Sequence, residues 1–381
     1  MDQRTRVGLA YSYNENWIGG TYYILNLIRA LNRVEDIKKP TVVLLTDDLD
    51  TVESVRAKTQ YPYLDFIKYP IKLGLVKRAI NKVFSYAGLR VFRNSILNPD
   101  INFLYPGFPN DVESENLKRI HWIPDFQEEF LPALFTEKQV QGRRVRRKRM
   151  ADTADCIVFS SKDSQNHFNT FYPNSKAEQF VLNFAVTHPD LSGYDERQIL
   201  ASYELNQAYY FIPNQFWVHK DHMTVLKALK VLKQQKGDVQ FVFSGKEHDH
   251  RSIDHVQRLK SYVLEQGLEA HVKFLGFLPR AEQLIILKNS LAVIQPSLFE
   301  GWGTVVEDAK AQNKFVFLSD LPVHYEQMEE NCVFFAQSNP EDLASKILET
   351  TIAVKEKNYQ ENIVKFGQDF LLLIQQNTAT K

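Results

Sequence analysis

The chain has only two cysteines, no long apolar run and no excess of charge of either sign. Cys156 and Cys332 lie far apart and no C-x-x-C pair is present, which excludes zinc-finger and dithiol redox motifs. No stretch reaches the roughly 18 apolar residues of a membrane-spanning helix. The N-terminal residues lead into only a short apolar run. We therefore expect no signal peptide and a reducing, cytoplasmic location.

The charges balance overall but not locally. Lys and Arg number 46, and so do Asp and Glu. Residues 51–150, however, hold 18 Lys and Arg against 10 Asp and Glu. Two segments concentrate this charge: residues 71–92, where cations are mixed with apolar residues, and residues 143–149. Such segments dock on anionic membranes or form a solvated face, and both interpretations stay open. Nucleic acid is disfavoured, because no binding motif accompanies the charge.

Apolar, β-branched segments of strand length alternate with helical patterns along the chain. Predicted strands lie at 7–11, 42–45, 101–104, 120–123, 157–159, 180–182, 209–212, 239–243, 272–275, 291–294 and 315–318. Predicted helices lie at 21–31, 223–234, 255–266, 280–288, 304–312 and 359–375. Strands apolar on both faces, separated by helices, indicate parallel sheets covered on both sides. We predict an α/β fold with doubly wound domains at 1–186 and 187–355, and a C-terminal helix within 356–381 that packs back on the first domain.

The most informative stretch is residues 296–311, PSLFEGWGTVVEDAKA. It follows a predicted buried strand, and its two-glycine turn leads into the start of a predicted helix. Free N–H groups and the positive end of the helix dipole favour an anion there. Glu300 precedes the turn and Asp308 lies in the helix. Acids suited to hydroxyl groups thus stand beside a site suited to phosphate, which indicates a sugar nucleotide.

This stretch resembles the signature of retaining glycosyltransferases with the GT-B fold, of the family-four type (glycosyl transferases group 1). Other segments agree in order and spacing: Gly19-Gly20 after the first strand, Ser160-Ser161 after a later one, Lys220 before the helix that opens the second domain, and Gly245 and Gly276 at strand ends. The resemblance covers essentially the whole chain. It implies two Rossmann-like domains facing across a cleft.

The resemblance also implies roles for individual residues. Glu300 is expected to contact the donor sugar and stabilise positive charge at the anomeric carbon. Lys220 is expected to neutralise the leaving diphosphate, and Asp125 to bind the acceptor or take its proton. The expected nucleotide-sugar-binding residues are Gly19, Gly20, Asn214, Gln215, Lys220, Gly245, Phe277, Glu300, Gly301, Trp302, Gly303, Thr304, Val305, Glu307 and Asp308.

No cofactor or metal is expected, because a lysine and a helix N-terminus can meet the phosphate charge. His248-Asp249-His250 is interpreted as an exposed polar turn rather than a metal site. For Phe277, the loop backbone is expected to meet the base, and the side chain is interpreted as a hydrophobic anchor.

The sequence departs from the family pattern at three places. Asp308 stands where the family usually has Glu, so either Glu307 or Asp308 is predicted to hold the ribose hydroxyls. Asn214-Gln215 stand where an arginine often lies, so this position lacks one positive charge that would neutralise the diphosphate. Pro124 takes the place of a histidine before Asp125.

The resemblance implies transfer of a hexose from a nucleotide sugar, with retention of configuration. The donor is expected to be a UDP-hexose such as UDP-glucose, with GDP-linked sugars open. The acceptor is expected to be a saccharide or lipid-linked saccharide in polysaccharide biosynthesis, at the inner face of the membrane. Two alternatives remain: a nucleotide-sugar epimerase or phosphorylase of the same fold, and a non-catalytic sugar-binding protein.

Overall fold

The computed structural model describes residues 4–11, 18–46, 48–69, 74–85, 91, 96–97, 99–107, 112–114, 116–235, 239–249 and 251–378. The strands are β1 (Arg6–Ala10), β2 (Thr41–Thr46), β3 (Leu64–Lys68), β4 (Ile96–Leu97), β5 (Phe103–Tyr105), β6 (Val112–Glu113), β7 (Ile120–Ile123), β8 (Cys156–Phe159), β9 (Glu178–Val181), β10 (Tyr209–Ile212), β11 (Gln240–Phe243), β12 (Val272–Phe274), β13 (Ala292–Gln295), β14 (Val316–Ser319) and β15 (Cys332–Phe335). The α-helices are α1 (Ile18–Leu31), α2 (Leu49–Thr59), α3 (Leu75–Ser85), α4 (Gln127–Phe130), α5 (Glu137–Thr153), α6 (Lys162–Phe171), α7 (Glu196–Ser202), α8 (His222–Gln234), α9 (His255–Glu265), α10 (Arg280–Asn289), α11 (Thr304–Ala311), α12 (Pro322–Gln327), α13 (Pro340–Glu349) and α14 (Gln360–Thr378). We call the part built on β1–β9 the first lobe and the part built on β10–β15 the second lobe.

The second lobe is built on a six-stranded parallel sheet in the order β12-β11-β10-β13-β14-β15. Every residue of β10, β11, β13 and β14 is buried, which explains why these strands are nearly continuous apolar runs in the sequence. The strand order reverses between β10 and β13. In open parallel sheets, ligands bind beyond the carboxyl ends of the strands at such a reversal.

The first lobe repeats this arrangement with parallel strands in the orders β3-β2-β1-β5 and β7-β8-β9. The amide of Trp122 in β7 donates to the carbonyl of Pro106, just after β5, at 2.9 Å and joins the two sheets. The predicted α/β fold with two doubly wound units is confirmed. The short edge strand β3 was not predicted. Its sequence, LDFIK, places charged residues among the apolar ones, and Asp65 and Phe66 are exposed.

Helix α14 packs against the first lobe. Phe366, Phe370 and Leu373 share one buried core with residues of β1 and α1. A Cβ added to Gly367 would lie 2.6 Å from the carbonyl oxygen of Ala30 in α1, so only glycine allows the two helices to approach this closely. The predicted domain limits at 186 and 355 stay predictions.

The two lobes touch on both sides of the cleft between them. The indole Nε1 of Trp302 donates to the carbonyl of Phe184 at 3.0 Å. The Glu326 carboxylate in the second lobe accepts from the amide of Lys162, at the start of α6, at 2.9 Å. The ring of Phe299 stacks on Phe130 with centroids 5.3 Å apart. The loop that carries the informative motif therefore lies between the lobes.

Candidate functional site

A cavity of about 410 Å³ lies in the cleft, beyond the carboxyl ends of β10 and β13. Residues of both lobes line it. The predicted site residues among its lining are Gly20, Asp125, Asn214, Gln215, Lys220, Gly245, Phe277, Glu300, Gly301, Trp302, Gly303, Thr304, Val305 and Asp308. Gly19 precedes the lining residue Gly20 at the start of α1, and Glu307 is turned away from the cavity. The structure thus brings together most of the residues that the sequence scattered over some 290 positions.

Glu300 is held by three donors that converge on one carboxylate oxygen. Lys220 Nζ, Gln295 Nε2 and Ser297 Oγ reach Oε1 at 2.5, 2.8 and 2.7 Å. Within the described part of the chain, Oε2 accepts no hydrogen bond. The carboxylate is therefore fixed through one oxygen and presents the other to the cavity.

The sequence around Glu300 explains this geometry. Gln295 ends β13 and is fully buried, so its amide needs hydrogen-bond partners. Its Oε1 accepts from Asn214 Nδ2 at 2.9 Å, across the strand reversal. Ser319 Oγ, at the end of β14, donates to the carbonyl of Ser297 at 2.6 Å. Gln295 and Ser297 were not predicted as site residues. The available signal was a polar residue at the end of an otherwise apolar strand.

The surroundings keep Glu300 ionised. Burial alone would raise the pKa of Glu300, but the Lys220 ammonium and the hydrogen bonds from Lys220 and Ser297 outweigh it, and the pKa lies below its ordinary value. His324 packs behind the loop with its Nδ1 hydrogen-bonded to the Ser319 carbonyl at 2.8 Å, and burial lowers the pKa of His324. A fixed negative group of this kind stabilises positive charge that develops on a ligand.

Asp308 also lines the cavity and is likewise paired with a cation. Arg280 Nη1 donates to Oδ2 at 2.7 Å, Arg280 Nη2 donates to Oδ1, and His188 Nε2 lies 3.0 Å from Oδ1. Burial would raise the pKa of Asp308, but Arg280 outweighs it and the pKa is lowered. Neither Arg280 nor His188 was predicted, because each is a lone polar residue in sequence and only the fold brings them together.

Glu307 serves the scaffold rather than the cavity. Its buried carboxylate accepts hydrogen bonds from Tyr359 Oη, from Gln327 Nε2 at 2.9 Å and from Lys310 Nζ at 2.9 Å. Consecutive residues of an α-helix point about 100° apart, and here Asp308 lines the cavity whereas Glu307 does not. We therefore withdraw Glu307 from the predicted ribose contact.

Three of the predicted glycines make close contacts or hydrogen bonds within the protein. The Gly303 amide donates to Gln327 Oε1 at 3.0 Å, so the free amides of the turn begin at Thr304. A Cβ on Gly301 would lie 2.2 Å from the carbonyl oxygen of Pro124, so this glycine is required where the lobes meet. The Gly245 amide donates to the Gly276 carbonyl at 2.8 Å.

Asp125 and Phe277 lie on opposite walls of the cavity. Asp125 Oδ1 accepts from the amide of Gln127 at 3.1 Å, so its carboxylate also starts helix α4. The interpretation of Phe277 as a hydrophobic anchor is wrong, because this residue is 62% exposed. Its ring stands at the mouth of the cavity, where it is free to contact a ligand.

The basic run at 143–149 is partly internal. Arg147 pairs with the fully buried Glu128 and donates to the Asp125 carbonyl at 2.8 Å. Arg143 pairs with the same glutamate at 3.2 Å, and Arg144 pairs with Glu129 at 2.6 Å. These ion pairs hold α5 against α4, beside the Asp125 wall of the cavity. The predicted contact of residues 143–149 with a membrane surface stays a prediction. The ion pairs do not favour it, because they direct these cations to the protein.

No cluster of three or more His, Cys, Asp or Glu side chains able to hold a metal occurs among the residues that the structure describes. Asp249 accepts hydrogen bonds from Arg251 and from the amide of Val218. His250 of the predicted polar turn lies outside the described residues. In the same part of the chain, no helix is both long enough and apolar enough to span a membrane.

Comparison with known proteins agrees with this geometry. Residues 195–369 match the family model of glycosyl transferases, group 1. The match covers less than half of the chain and lies in the second lobe and helix α14. Together with the GT-B fold shared with solved glycosyltransferases, it supports the resemblance to group 1 glycosyltransferases.

Individual relatives are distant. The O-antigen chain mannosyltransferase RfbU of Salmonella typhimurium is 26% identical over 134 residues, which is 35% of each chain. The matched stretch thus spans about a third of that relative's length. A glycosyltransferase from Rickettsia africae has a TM-score of 0.66 and 14% identity, with all of both chains covered. Anabaena Alr3699/HepE, solved with UDP and glucose, has a TM-score of 0.59 and 15% identity over 98% of this chain and 95% of its own.

Proposed function

We propose that the cleft transfers a hexose from a nucleotide sugar to a saccharide or lipid-linked saccharide. The observation that carries this proposal is the ionised Glu300, which is fixed through Oε1 and presents Oε2 to a cavity lined by both lobes. Cleavage of a glycosidic bond builds positive charge at the anomeric carbon, and a fixed carboxylate oxygen stabilises that charge. The lobes enclose the donor between them, which limits hydrolysis by water.

In this proposal, the leaving diphosphate is met by protein groups. Lys220 lines the cavity beside Glu300, and helix α11 points its first amides at the same space. Neutralising the charge that grows on the leaving group favours bond cleavage. We propose retention of configuration without a metal, by attack on the same face, with the leaving phosphate accepting the acceptor's proton. Asp125, on the wall of the first lobe, contacts the acceptor.

The donor is proposed to be a UDP- or GDP-linked hexose used in polysaccharide biosynthesis. Two findings support this choice. The Salmonella relative is an O-antigen chain mannosyltransferase, and the Anabaena structure was solved with UDP and glucose. Glucose and mannose linked to UDP and GDP are therefore the donors to test first.

We also propose peripheral contact with an anionic membrane through helix α3. Val76, Val83 and Phe84 are exposed on this helix, which also carries Lys77 and Lys82. Exposed apolar residues beside cations are typical of interfacial helices. Binding to vesicles with anionic lipid, weakened by salt and by Val83→Asp, tests the proposal. Equal recovery with neutral and anionic vesicles would contradict it.

The donor assignment is tested by thermal unfolding against a panel of nucleotides and nucleotide sugars. A ligand at one hundred times its dissociation constant adds about 2.7 kcal/mol to the free energy of unfolding. We expect UDP or GDP compounds to stabilise the protein. If neither class does so, the donor assignment fails.

A second assay separates transfer from the alternatives. A transferase releases nucleoside diphosphate at a rate that depends on the acceptor. An epimerase converts the donor without release, a phosphorylase requires phosphate, and a binding protein releases nothing. We expect acceptor-dependent release.

A further inference from the structure

Arg280 is a cation of the cavity whose guanidinium is only partly used by the protein. Its Nη1 donates to Asp308 Oδ2 at 2.7 Å and to Gln283 Oε1 at 3.1 Å, and its Nη2 donates to Asp308 Oδ1. A guanidinium carries five N–H donors. In the described part of the chain, Nε–H and the second N–H of Nη2 therefore have no partner. These two donors lie on one edge of the planar group, which suits bidentate binding of phosphate oxygens.

The charges that line the cavity favour a cationic hydrogen-bond donor of this kind. Its described lining includes three carboxylates (Asp125, Glu300 and Asp308) but only two permanent cations, Lys220 and Arg280. A nucleoside diphosphate adds further negative charge to this space. Lys220, the first of these cations, is paired with Glu300. Arg280 is the second lining cation that can meet the diphosphate.

The position at 214–215 does not supply the missing charge. Asn214 is buried, and its amide donates to Gln295 Oε1 at 2.9 Å. One N–H of this amide therefore supports the Glu300 network, and an amide carries no charge to offset a phosphate. A cation for the diphosphate has to come from elsewhere in the cleft.

Arg280 is held close to the start of helix α11. Its partner Asp308 lies four residues after Thr304, which is about 6 Å along the helix axis. The Tyr22 ring of the first lobe lies 5.6 Å from Arg280 Cζ. Burial would lower the pKa of Arg280, but Asp308 outweighs it and the pKa is raised, so the group remains charged. Asp308 thus fixes a charged guanidinium in the same cavity that Thr304, at the start of α11, also lines.

We propose that Arg280 is a specificity-determining residue that binds the donor's diphosphate through its free guanidinium edge, and that Asp308 and His188 position it. The inference rests on the proposed function, because it presupposes a nucleoside diphosphate donor. The inference also changes the role expected of Asp308 in ribose binding. A carboxylate accepts about four hydrogen bonds, and Arg280 and His188 supply three. Asp308 can accept one ribose hydroxyl at most while Arg280 remains in place.

Calorimetric titration with a nucleoside, its monophosphate and its diphosphate tests the inference, in the uridine and guanosine series. The wild-type protein is compared with Arg280→Met, Arg280→Lys, Asp308→Asn and the double variant Arg280→Met/Asp308→Asn. The double variant avoids an unpaired buried carboxylate, so it remains informative if Arg280→Met folds poorly. Lys288→Met, an exposed cation on the same helix, is the matched control.

We expect Arg280→Met and the double variant to lose about ten- to one-hundred-fold in diphosphate affinity, with nucleoside affinity unchanged in Arg280→Met. Arg280→Lys and Asp308→Asn should retain part of the gain from the diphosphate, and Lys288→Met all of it. Equal losses for nucleoside and diphosphate would overturn the inference, because Arg280 would then act only through Asp308. Unchanged diphosphate affinity in the double variant would also overturn it. If the wild-type protein binds neither UDP nor GDP, the proposed function fails first and the inference falls with it.

Discussion

Two regions of the cleft each hold one carboxylate paired with one cation, but the two pairs expose opposite charges. In the first, Lys220 and two neutral donors all bind Glu300 Oε1. In the second, Arg280 and His188 share both oxygens of Asp308. The first arrangement leaves a carboxylate oxygen free, and the second leaves a guanidinium edge free.

This difference teaches that an ion pair alone does not define a site's role. What matters is which partner retains unused hydrogen-bonding capacity. A free carboxylate oxygen suits a sugar that develops positive charge, and a free guanidinium edge suits a diphosphate. The cleft therefore offers both a free carboxylate oxygen and a free guanidinium edge, the two kinds of group that a nucleotide sugar requires.

The largest expected effect comes from neutralising the free carboxylate oxygen. Glu300→Gln should lower the transfer rate by about 10²- to 10³-fold, the usual cost of losing one electrostatic contact to the transition state. Nucleotide affinity should change by less than about threefold, because the groups proposed to bind the diphosphate, Lys220, the start of α11 and Arg280, are retained. Steady-state kinetics and titration measure the two quantities. Glu265→Gln, an exposed acid on α9, is the control, and full activity in Glu300→Gln would refute the role of Glu300.

Removing the cation of the same pair tests the charge balance. Lys220→Met leaves a buried carboxylate without its partner, which typically costs about 3–5 kcal/mol of stability. In the wild-type protein, the lowered pKa of Glu300 keeps it ionised well below neutral pH. Without Lys220, burial is less opposed and the pKa of Glu300 rises. Activity of the variant should therefore fall at a higher pH than wild-type activity as the pH is lowered; overlapping pH–rate profiles would contradict this.

A smaller effect is expected from the residues that orient Glu300. Gln295→Met removes one neutral donor to Oε1 and leaves Asn214 without its acceptor. We expect kcat to fall about two- to tenfold, since one neutral hydrogen bond contributes about 0.5–1.5 kcal/mol, with KM little changed. Ser297→Ala is the matched loss of a second neutral donor. A rise in KM at constant kcat would show that Gln295 contacts the donor instead.

The smallest effect on function is expected at Glu307. Tyr359→Phe removes a donor to its buried carboxylate and should cost about 1–3 kcal/mol of stability. Urea unfolding measures this cost. Nucleotide affinity should stay at the wild-type value, because Glu307 faces away from the cavity. A loss of nucleotide affinity in the folded variant would show that Glu307 contributes to nucleotide binding.

The fold was largely predictable because the buried strands of parallel sheets carry continuous apolar runs. Strands such as β10 and β13 are buried along their whole length and were recognised from the sequence. The edge strand β15 was missed, since a four-residue segment that is only partly buried gives a weak signal. Glu300 and Lys220 were placed together correctly, because a specific motif accompanies Glu300.

The partners of these residues were not predictable in the same way. Arg280 and His188 reach Asp308 from 28 and 120 positions away. No local pattern marks such pairs, because three-dimensional packing alone brings them together. The choice between Glu307 and Asp308 likewise depended on helix phase, which two adjacent acids in sequence do not reveal.

A crystal structure of the wild-type protein with an intact nucleotide sugar, in the absence of acceptor, tests the central claim most directly. We predict the sugar within hydrogen-bond distance of Glu300 Oε2, which is about 2.5–3.2 Å, with the diphosphate between Lys220, the start of α11 and Arg280. A donor bound outside the cleft, or one whose sugar points away from Glu300, would contradict it.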